Sequence, residues 1–151
     1  DEFGPVVTGD GTLWFYSFRP PYREGRHYRA DPPAFEAVAL DTELPDPSAP
    51  TFVSYFYLTP DGRTALLEGR AEGRGRRDSD LYFACRGEDG RWSPVAPLAQ
   101  LNTAFGEGGP ALGTDGASLW FTSDRPSGDP DAGDANLWRV STDALPVPCG
   151  S

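Results

Sequence analysis

At three places in this chain, a tight turn built on the dipeptide Asp-Gly comes just before an apolar run. The turn carboxylates are Asp10, Asp61 and Asp115, so the spacing is 51 and then 54 residues. A period of this length is typical of stacked supersecondary units, none of which can bury its apolar face alone. We therefore predict a repeat protein of three similar β-units.

Short apolar runs separated by glycine and proline indicate many short strands. The 151 residues include 18 Gly and 16 Pro, and no apolar periodicity is long enough for a helix. Gly tolerates a positive φ and Asp hydrogen-bonds the backbone beyond it, which suits a hairpin. The units are placed at residues 1–50, 51–104 and 105–151. The predicted strands are 5–7, 12–18, 27–30 and 35–40; 56–58, 64–68, 80–86 and 92–98; and 110–113, 118–123, 136–141 and 145–148.

The second strand of each unit is almost entirely apolar, as in Leu13-Trp14-Phe15-Tyr16. Such strands suit sheets that are covered on both faces. Four-stranded antiparallel sheets packed face to face around an axis meet that need, and this is the arrangement of a β-propeller. We predict an all-β fold of propeller blades, three in this chain. A β-sandwich is the alternative, but it does not require a repeat near 50 residues.

The motifs of a known repeat extend from the end of unit two through unit three, which matches best. They are Trp92-Ser93-Pro94-Val95, Leu98, Leu101-Asn102-Thr103, Gly109-Pro110-Ala111-Leu112, Asp115-Gly116, Leu119–Pro126 and Asn136-Leu137-Trp138. These motifs resemble the WD40-like PD40 repeat of TolB-type β-propellers, which has a Pro-Asp-Gly-like turn, an apolar strand ending in Ser-x-Arg and a strand opening Asp-Leu-Tyr. Units two and one keep fewer of them. The resemblance implies a periplasmic adaptor, a cell-surface protein or the non-catalytic half of a peptidase, and fold analogy does not choose among these.

Three blades are fewer than the roughly four to eight of a closed propeller. Two aromatic-rich outer sheet faces are then expected to be exposed, which predicts a partner. The chain is a fragment of a longer polypeptide, pairs with a different chain, or joins a second copy in a two-fold ring. The loops after the second strands of units one and two are rich in arginine and that of unit three is acidic, so opposite charges would meet across such a ring. Ordinary solvated loops are the competing interpretation.

The arginine-rich loops are the leading candidates for binding. Their guanidinium groups suit a carboxylate- or phosphate-bearing partner, and the interleaved aromatic rings equally suit stacking on a sugar. The predicted partner-binding residues are Arg19, Tyr22, Arg23, Arg26, Tyr28, Arg29, Arg70 and Arg74. The alternative is that these residues are simply solvated.

A short acidic loop in unit three is the candidate metal site. Asp129, Asp131 and Asp134 lie close together on a glycine-bearing loop and could converge on Ca²⁺ as oxygen ligands, although Pro130 restricts how the first two can turn. The frame of an EF-hand is missing, so an acidic surface loop is the alternative, and no other cofactor is predicted. Cys85 and Cys149 fit either one disulfide or two buried thiols.

No pattern in the sequence marks a catalytic centre. His27 is the only histidine, and we expect it in a surface loop. There is no Gly-x-Ser-x-Gly elbow and no glycine-rich phosphate loop. The turn also differs from a sialidase Asp-box, because Gly follows Asp directly. The net charge of −10 argues against nucleic-acid binding.

These observations together predict a non-catalytic protein–protein interaction or scaffold module of an exported bacterial protein. A protein partner or a second copy completes the propeller. The chain has no Met, so we expect that it does not begin at its own initiator, and a cleaved secretory signal would explain this. No run approaches the ~20 apolar residues that cross a bilayer, so no transmembrane segment is predicted. The alternatives are the propeller half of a hydrolase or lyase with catalytic residues elsewhere, and a carbohydrate-binding surface protein.

Overall fold

Three antiparallel sheets make up the computed structural model, which describes residues 2–18, 26–39, 52–70, 78–128 and 134–149. Sheet 1 consists of β1 (Glu2–Val7), β2 (Leu13–Ser17), β3 (Arg26–Ala30) and β4 (Ala37–Ala39). Sheet 2 consists of β5 (Phe52–Leu58), β6 (Thr64–Arg70), β7 (Asp80–Cys85) and β8 (Ala96–Pro97). Sheet 3 consists of β9 (Glu107–Leu112), β10 (Ser118–Ser123) and β11 (Asn136–Ser141). The described residues contain no helix, so the predicted all-β fold is confirmed, and none of them forms a helix that could cross a membrane.

Neighbouring strands in each sheet are neighbours in the sequence, so each sheet is a meander of hairpins. The first hairpin of every sheet closes on an Asp-Gly turn whose glycine has a φ of 86°, 69° or 68°. Oδ1 of Asp10, Asp61 and Asp115 accepts the backbone N–H two residues later, at 2.9–3.0 Å. A fourth such turn, at Asp89, joins β7 to an isolated bridge at Trp92. The turn chemistry is therefore the one that the sequence predicts.

Sheet 2 lies between the other two sheets and is covered on both faces. Along β6, Ala65 and Leu67 belong to the core shared with sheet 1, whereas Leu66 belongs to the core shared with sheet 3. This alternation follows from the two-residue period of a strand, and it explains why β6 is apolar at successive positions. The core between sheets 1 and 2 also includes Trp14 and Phe56.

The predicted fourth strand of unit three, residues 145–148, is wrong, and sheet 3 has three strands. Pro146 and Pro148 have no N–H to give to a ladder. The segment instead crosses to sheet 2, where Val147 enters the core between sheets 2 and 3. Cys149 donates its N–H to Oγ1 of Thr64 at 2.8 Å and forms a disulfide with Cys85 at the end of β7. The C-terminal segment therefore links unit three to unit two through a disulfide and a hydrogen bond.

Candidate functional site

The structure describes only part of the arginine-rich cluster that the sequence predicts. Four of its members lie outside the described residues, namely Arg19, Tyr22, Arg23 and Arg74. Arg26 and Arg29 lie near opposite ends of β3, since their Cα partners in β2 are Ser17 and Trp14. Arg70 is the last residue of β6. Arg29 therefore belongs to the Asp-Gly end of sheet 1 rather than to a loop between β2 and β3.

Tyr28 was predicted to face a partner, and the structure shows that this is wrong. Its side chain is 4% exposed, and its ring stacks on that of Phe15 with the centroids 5.6 Å apart. The two residues are direct cross-strand partners on the face of sheet 1 that points away from sheet 2. Tyr28 is therefore part of the packing of sheet 1 and is unavailable as a binding residue.

The expectation that His27 lies in a surface loop is also wrong. His27 is in β3, and its ring lies 4.9 Å from that of Tyr16 and 5.2 Å from that of Phe56, measured between centroids. Its Nε2 is buried and has no hydrogen-bond partner among the described residues. Burial lowers the pKa of His27 to about 4, because desolvation disfavours the charged imidazolium. The histidine is therefore neutral near pH 7 and packs at the joint between sheets 1 and 2.

The structure describes only part of the acidic loop that the sequence singled out. Asp129 and Asp131 are outside them, and Asp134 is exposed, so a Ca²⁺ site at this loop stays a prediction. Among the described side chains no group of three His, Cys, Asp or Glu residues is placed to hold a metal ion. The hydroxyl of Thr8 is the main cause of the lowered pKa of Asp10, a carboxylate that closes its own turn.

A buried ion pair explains the Ser-x-Arg motif of unit three. The side chain of Glu107 has no exposed surface, and Nη2 of Arg125 lies 2.9 Å from its Oε1. Ser123 donates its hydroxyl to the same oxygen at 3.1 Å, while Thr103 donates its hydroxyl to Oε1 and its N–H to Oε2. Both carboxylate oxygens are thus occupied by the protein, and this cluster fixes the packing of sheet 3 rather than offering a reactive group.

The face of sheet 3 that points away from sheet 2 is an exposed apolar surface. We call it the sheet 3 outer face, and it consists of Trp120, Thr122, Leu137 and Arg139. Trp120 is 39% exposed and Leu137 is 67% exposed. The guanidinium of Arg139 donates from Nη2 to Oγ of Ser118 at 2.8 Å, and its Cζ lies 5.6 Å from the ring centroid of Trp120. The surface therefore combines large apolar side chains with a fixed cation.

The two ends of the stack are not alike, although the sequence predicts an exposed aromatic face at each. On the outer face of sheet 1, Phe15 and Tyr28 are only 8% and 4% exposed. Sequence reasoning did not single out Trp120 and Leu137. The signal available for them was the alternation of strand residues, which puts Trp120 on the side opposite to the buried Leu119 and Phe121.

Solved structures contain similar arrangements. The crystal structure of TolB from Acinetobacter baumannii matches with a TM-score of 0.58 at 16% identity, over 95% of this chain and 30% of that one. A prolyl endopeptidase structure matches with a TM-score of 0.51 at 12% identity, over 94% of this chain and 20% of that one. The crystal structure of a puromycin hydrolase gives a TM-score of 0.49 at 26% identity, over 82% of this chain and 20% of that one. No protein-family model and no curated protein matches the sequence.

The first two likenesses each cover almost the whole of this chain. This chain has the fold of part of a TolB-like β-propeller, with two four-stranded sheets and one three-stranded sheet. It spans about 30% of the length of the TolB chain. At such low identities the likeness shows the fold alone.

Proposed function

We propose that this chain is a non-catalytic interaction module that contributes three blades to a larger propeller or assembly. The observation that carries the proposal is the sheet 3 outer face. Sheet 2 has both faces covered by its neighbours, whereas sheet 3 leaves Trp120 and Leu137 in solvent. A contiguous exposed apolar surface that is rimmed by polar residues favours a protein–protein contact.

The chemistry of the sheet 3 outer face suits another protein surface better than a small ligand. Burying a large apolar side chain such as Trp120 or Leu137 contributes about 1.5–3 kcal/mol. Arg139 is already held flat across the sheet by Ser118, so a carboxylate of the partner would pair with it at a small cost in side-chain entropy. The predicted occupant is therefore a sheet with an apolar face and an acidic residue near its centre.

Two further observations support the proposal. One favours a structural role, and the other favours a location outside the cytoplasm. The buried carboxylate of Glu107 and the turn carboxylates all accept hydrogen bonds from the protein itself, which favours a scaffold over a catalyst. The disulfide between Cys85 and Cys149 favours an oxidising compartment, such as the periplasm or the cell exterior. The propeller half of a hydrolase, with its catalytic residues outside this chain, would use the same face for its remaining blades.

Cross-linking in an extract of the source organism tests the proposal. Tagged wild-type chain is compared with the Trp120→Ser/Leu137→Ser double variant and with Phe105→Ser, a control that removes an exposed aromatic ring outside this face. We expect one partner to be retained by the wild type and by the control and lost by the double variant. Sedimentation of the purified chain shows whether that partner is a second copy, since a monomer has a mass of 16.3 kDa. The same partners on all three proteins would contradict the proposal.

A further inference from the structure

A cleft with a volume of about 340 Å³ lies between sheets 1 and 2, where their Asp-Gly turns come together. The N–H of Gly9 donates to the carbonyl oxygen of Pro60 at 2.8 Å, which fixes the two turns against each other. The charged side chains of its wall are Asp10, Arg29, Asp61 and Arg86. The size is at the lower end of the roughly 300–1,000 Å³ found for small-molecule sites. No step of the proposed interaction function uses this cleft.

Arg86 supplies the cleft with a fixed guanidinium. Its Nε donates to the carbonyl oxygen of Gly90 at 2.9 Å, and its Cζ lies 5.9 Å from the ring centroid of Trp92. Among the described residues no carboxylate lies within ion-pair distance of Arg86. Arg29 differs, because its Nε is paired with Asp31 at 2.8 Å. Arg86 therefore presents its terminal N–H groups without an internal acceptor.

Asp10 and Asp61 supply the matching acceptors. Each uses Oδ1 for its own turn, where it accepts the N–H of Thr12 or Arg63 and a threonine hydroxyl. The described hydrogen bonds leave Oδ2 of both residues unused. The turns hold these carboxylates in place, so a ligand meets acceptors that need no rearrangement.

The balance of charge in the wall decides which ligand fits. Two carboxylates and two guanidiniums line the wall, and Arg29 is already paired with Asp31, so an anion meets Asp10 and Asp61 while a cation meets Arg86. A neutral ligand with many hydroxyl groups avoids both conflicts, because each hydroxyl both donates to a carboxylate and accepts from a guanidinium. The apolar part of the wall includes the exposed Pro60, which suits the C–H face of a sugar ring.

We propose that this cleft binds a neutral saccharide unit. Oδ2 of Asp10 and of Asp61 accept hydroxyl protons from the sugar, and Arg86 donates to its hydroxyl oxygens. The site lies at the joint of sheets 1 and 2, whereas the proposed partner binds the outer face of sheet 3. Each proposal therefore stands or fails without the other.

Titration of the chain with neutral sugars, observed by saturation-transfer NMR and calorimetry, tests the site. The probes are glucose, galactose, N-acetylglucosamine, maltose and cellobiose, with phosphate and acetate as anionic probes. Asp61→Asn removes the charge and keeps an oxygen for the turn, and Asp115→Asn makes the same change in a turn away from the cleft. Arg86→Gln removes the guanidinium, and Arg91→Gln is its control on the same hairpin, with a side chain that is 88% exposed.

We expect at least one sugar to bind, with a Kd about tenfold higher in Asp61→Asn and in Arg86→Gln and unchanged in both controls. Equal melting temperatures show that the variants are folded; should Asp61→Asn fail to fold, Arg86→Gln against Arg91→Gln decides. The proposal is overturned by no sugar binding at millimolar concentration or by equal affinity in variants and controls. Binding of phosphate or acetate alone, lost in Arg86→Gln, would identify an anion site instead and also overturn it.

Discussion

The carboxylate of Glu107 depends on Arg125, and Arg125→Met removes that cation while keeping most of the apolar length of the side chain. Nη2 of Arg125 lies 2.9 Å from Oε1 of Glu107, which has no exposed surface. Removing one partner of a buried pair costs about 3–5 kcal/mol, because it leaves a buried charge uncompensated. The Arg125 side chain is 20% exposed, so water compensates in part, and we expect a loss near 3 kcal/mol.

A second contribution comes from groups that lose their donor. Arg125 also donates to the carbonyl oxygen of Leu101 at 2.6 Å, and methionine cannot replace this bond. The contacts with the rings of Phe121 and Trp138, each at 5.2 Å, are largely kept by the apolar thioether. The expected loss is a large part of the roughly 5–15 kcal/mol that stabilises a folded domain.

Urea unfolding, followed by circular dichroism and tryptophan fluorescence, measures this loss. Arg139→Met is the matched control, because Arg139 also lies over a tryptophan ring but has no carboxylate partner among the described residues. This control should lower the free energy of unfolding by less than about 1 kcal/mol. Adding Glu107→Gln to Arg125→Met removes the uncompensated charge and should recover at least about 1 kcal/mol. A loss below 1 kcal/mol in Arg125→Met, or strictly additive losses in the double variant, would refute this account of the ion pair.

Acid and loss of the disulfide should each destabilise the chain, for different reasons. Burial lowers the pKa of His27 from 6.5 to about 4, so the unfolded chain binds a proton in this range that the folded chain does not. The free energy of unfolding should fall by about 3 kcal/mol as the pH drops from 6.5 to 4. His27→Phe should remove this part of the pH dependence. Parallel curves of unfolding free energy against pH for the two proteins would contradict this expectation. Cys149→Ser removes a cross-link that spans 64 residues and should lower the free energy of unfolding by about 4 kcal/mol. The loss would be observed as a lower urea midpoint. An unchanged midpoint would show that the disulfide adds no stability.

Local chemistry made most of the fold predictable from sequence. The strands predicted at 118–123 and 136–141 coincide with β10 and β11, because glycine turns and apolar alternation act within a few residues. The strand predicted after β11 was wrong because the position of this segment is set by the bond to Cys85, which is 64 residues from Cys149. The prolines at 146 and 148 were the local signal against a strand there.

The site residues were harder to predict, and β3 shows why. A strand over residues 27–30 implies that His27 and Tyr28 face opposite sides of the sheet, and both sides of sheet 1 turn out to be covered there. The many nearby arginines suggested a solvated loop instead, so the charge pattern outweighed the alternation. The cleft at Asp10 and Asp61 could not be predicted from the sequence, because it forms only where two turns about 50 residues apart meet in space.

The two joints between the sheets are held in different ways. Sheets 2 and 3 are linked by a disulfide, and Oε2 of Glu68 in β6 accepts the N–H of Gly109 in β9 at 2.9 Å. The described contacts between sheets 1 and 2 are mainly aromatic packing around Phe56, with the single backbone bond from Gly9 to Pro60. Because His27 is part of that packing, its protonation acts directly on the joint that has no cross-link. A ligand in the cleft would bridge the same joint and oppose the effect of acid there, since binding to the folded state alone stabilises it.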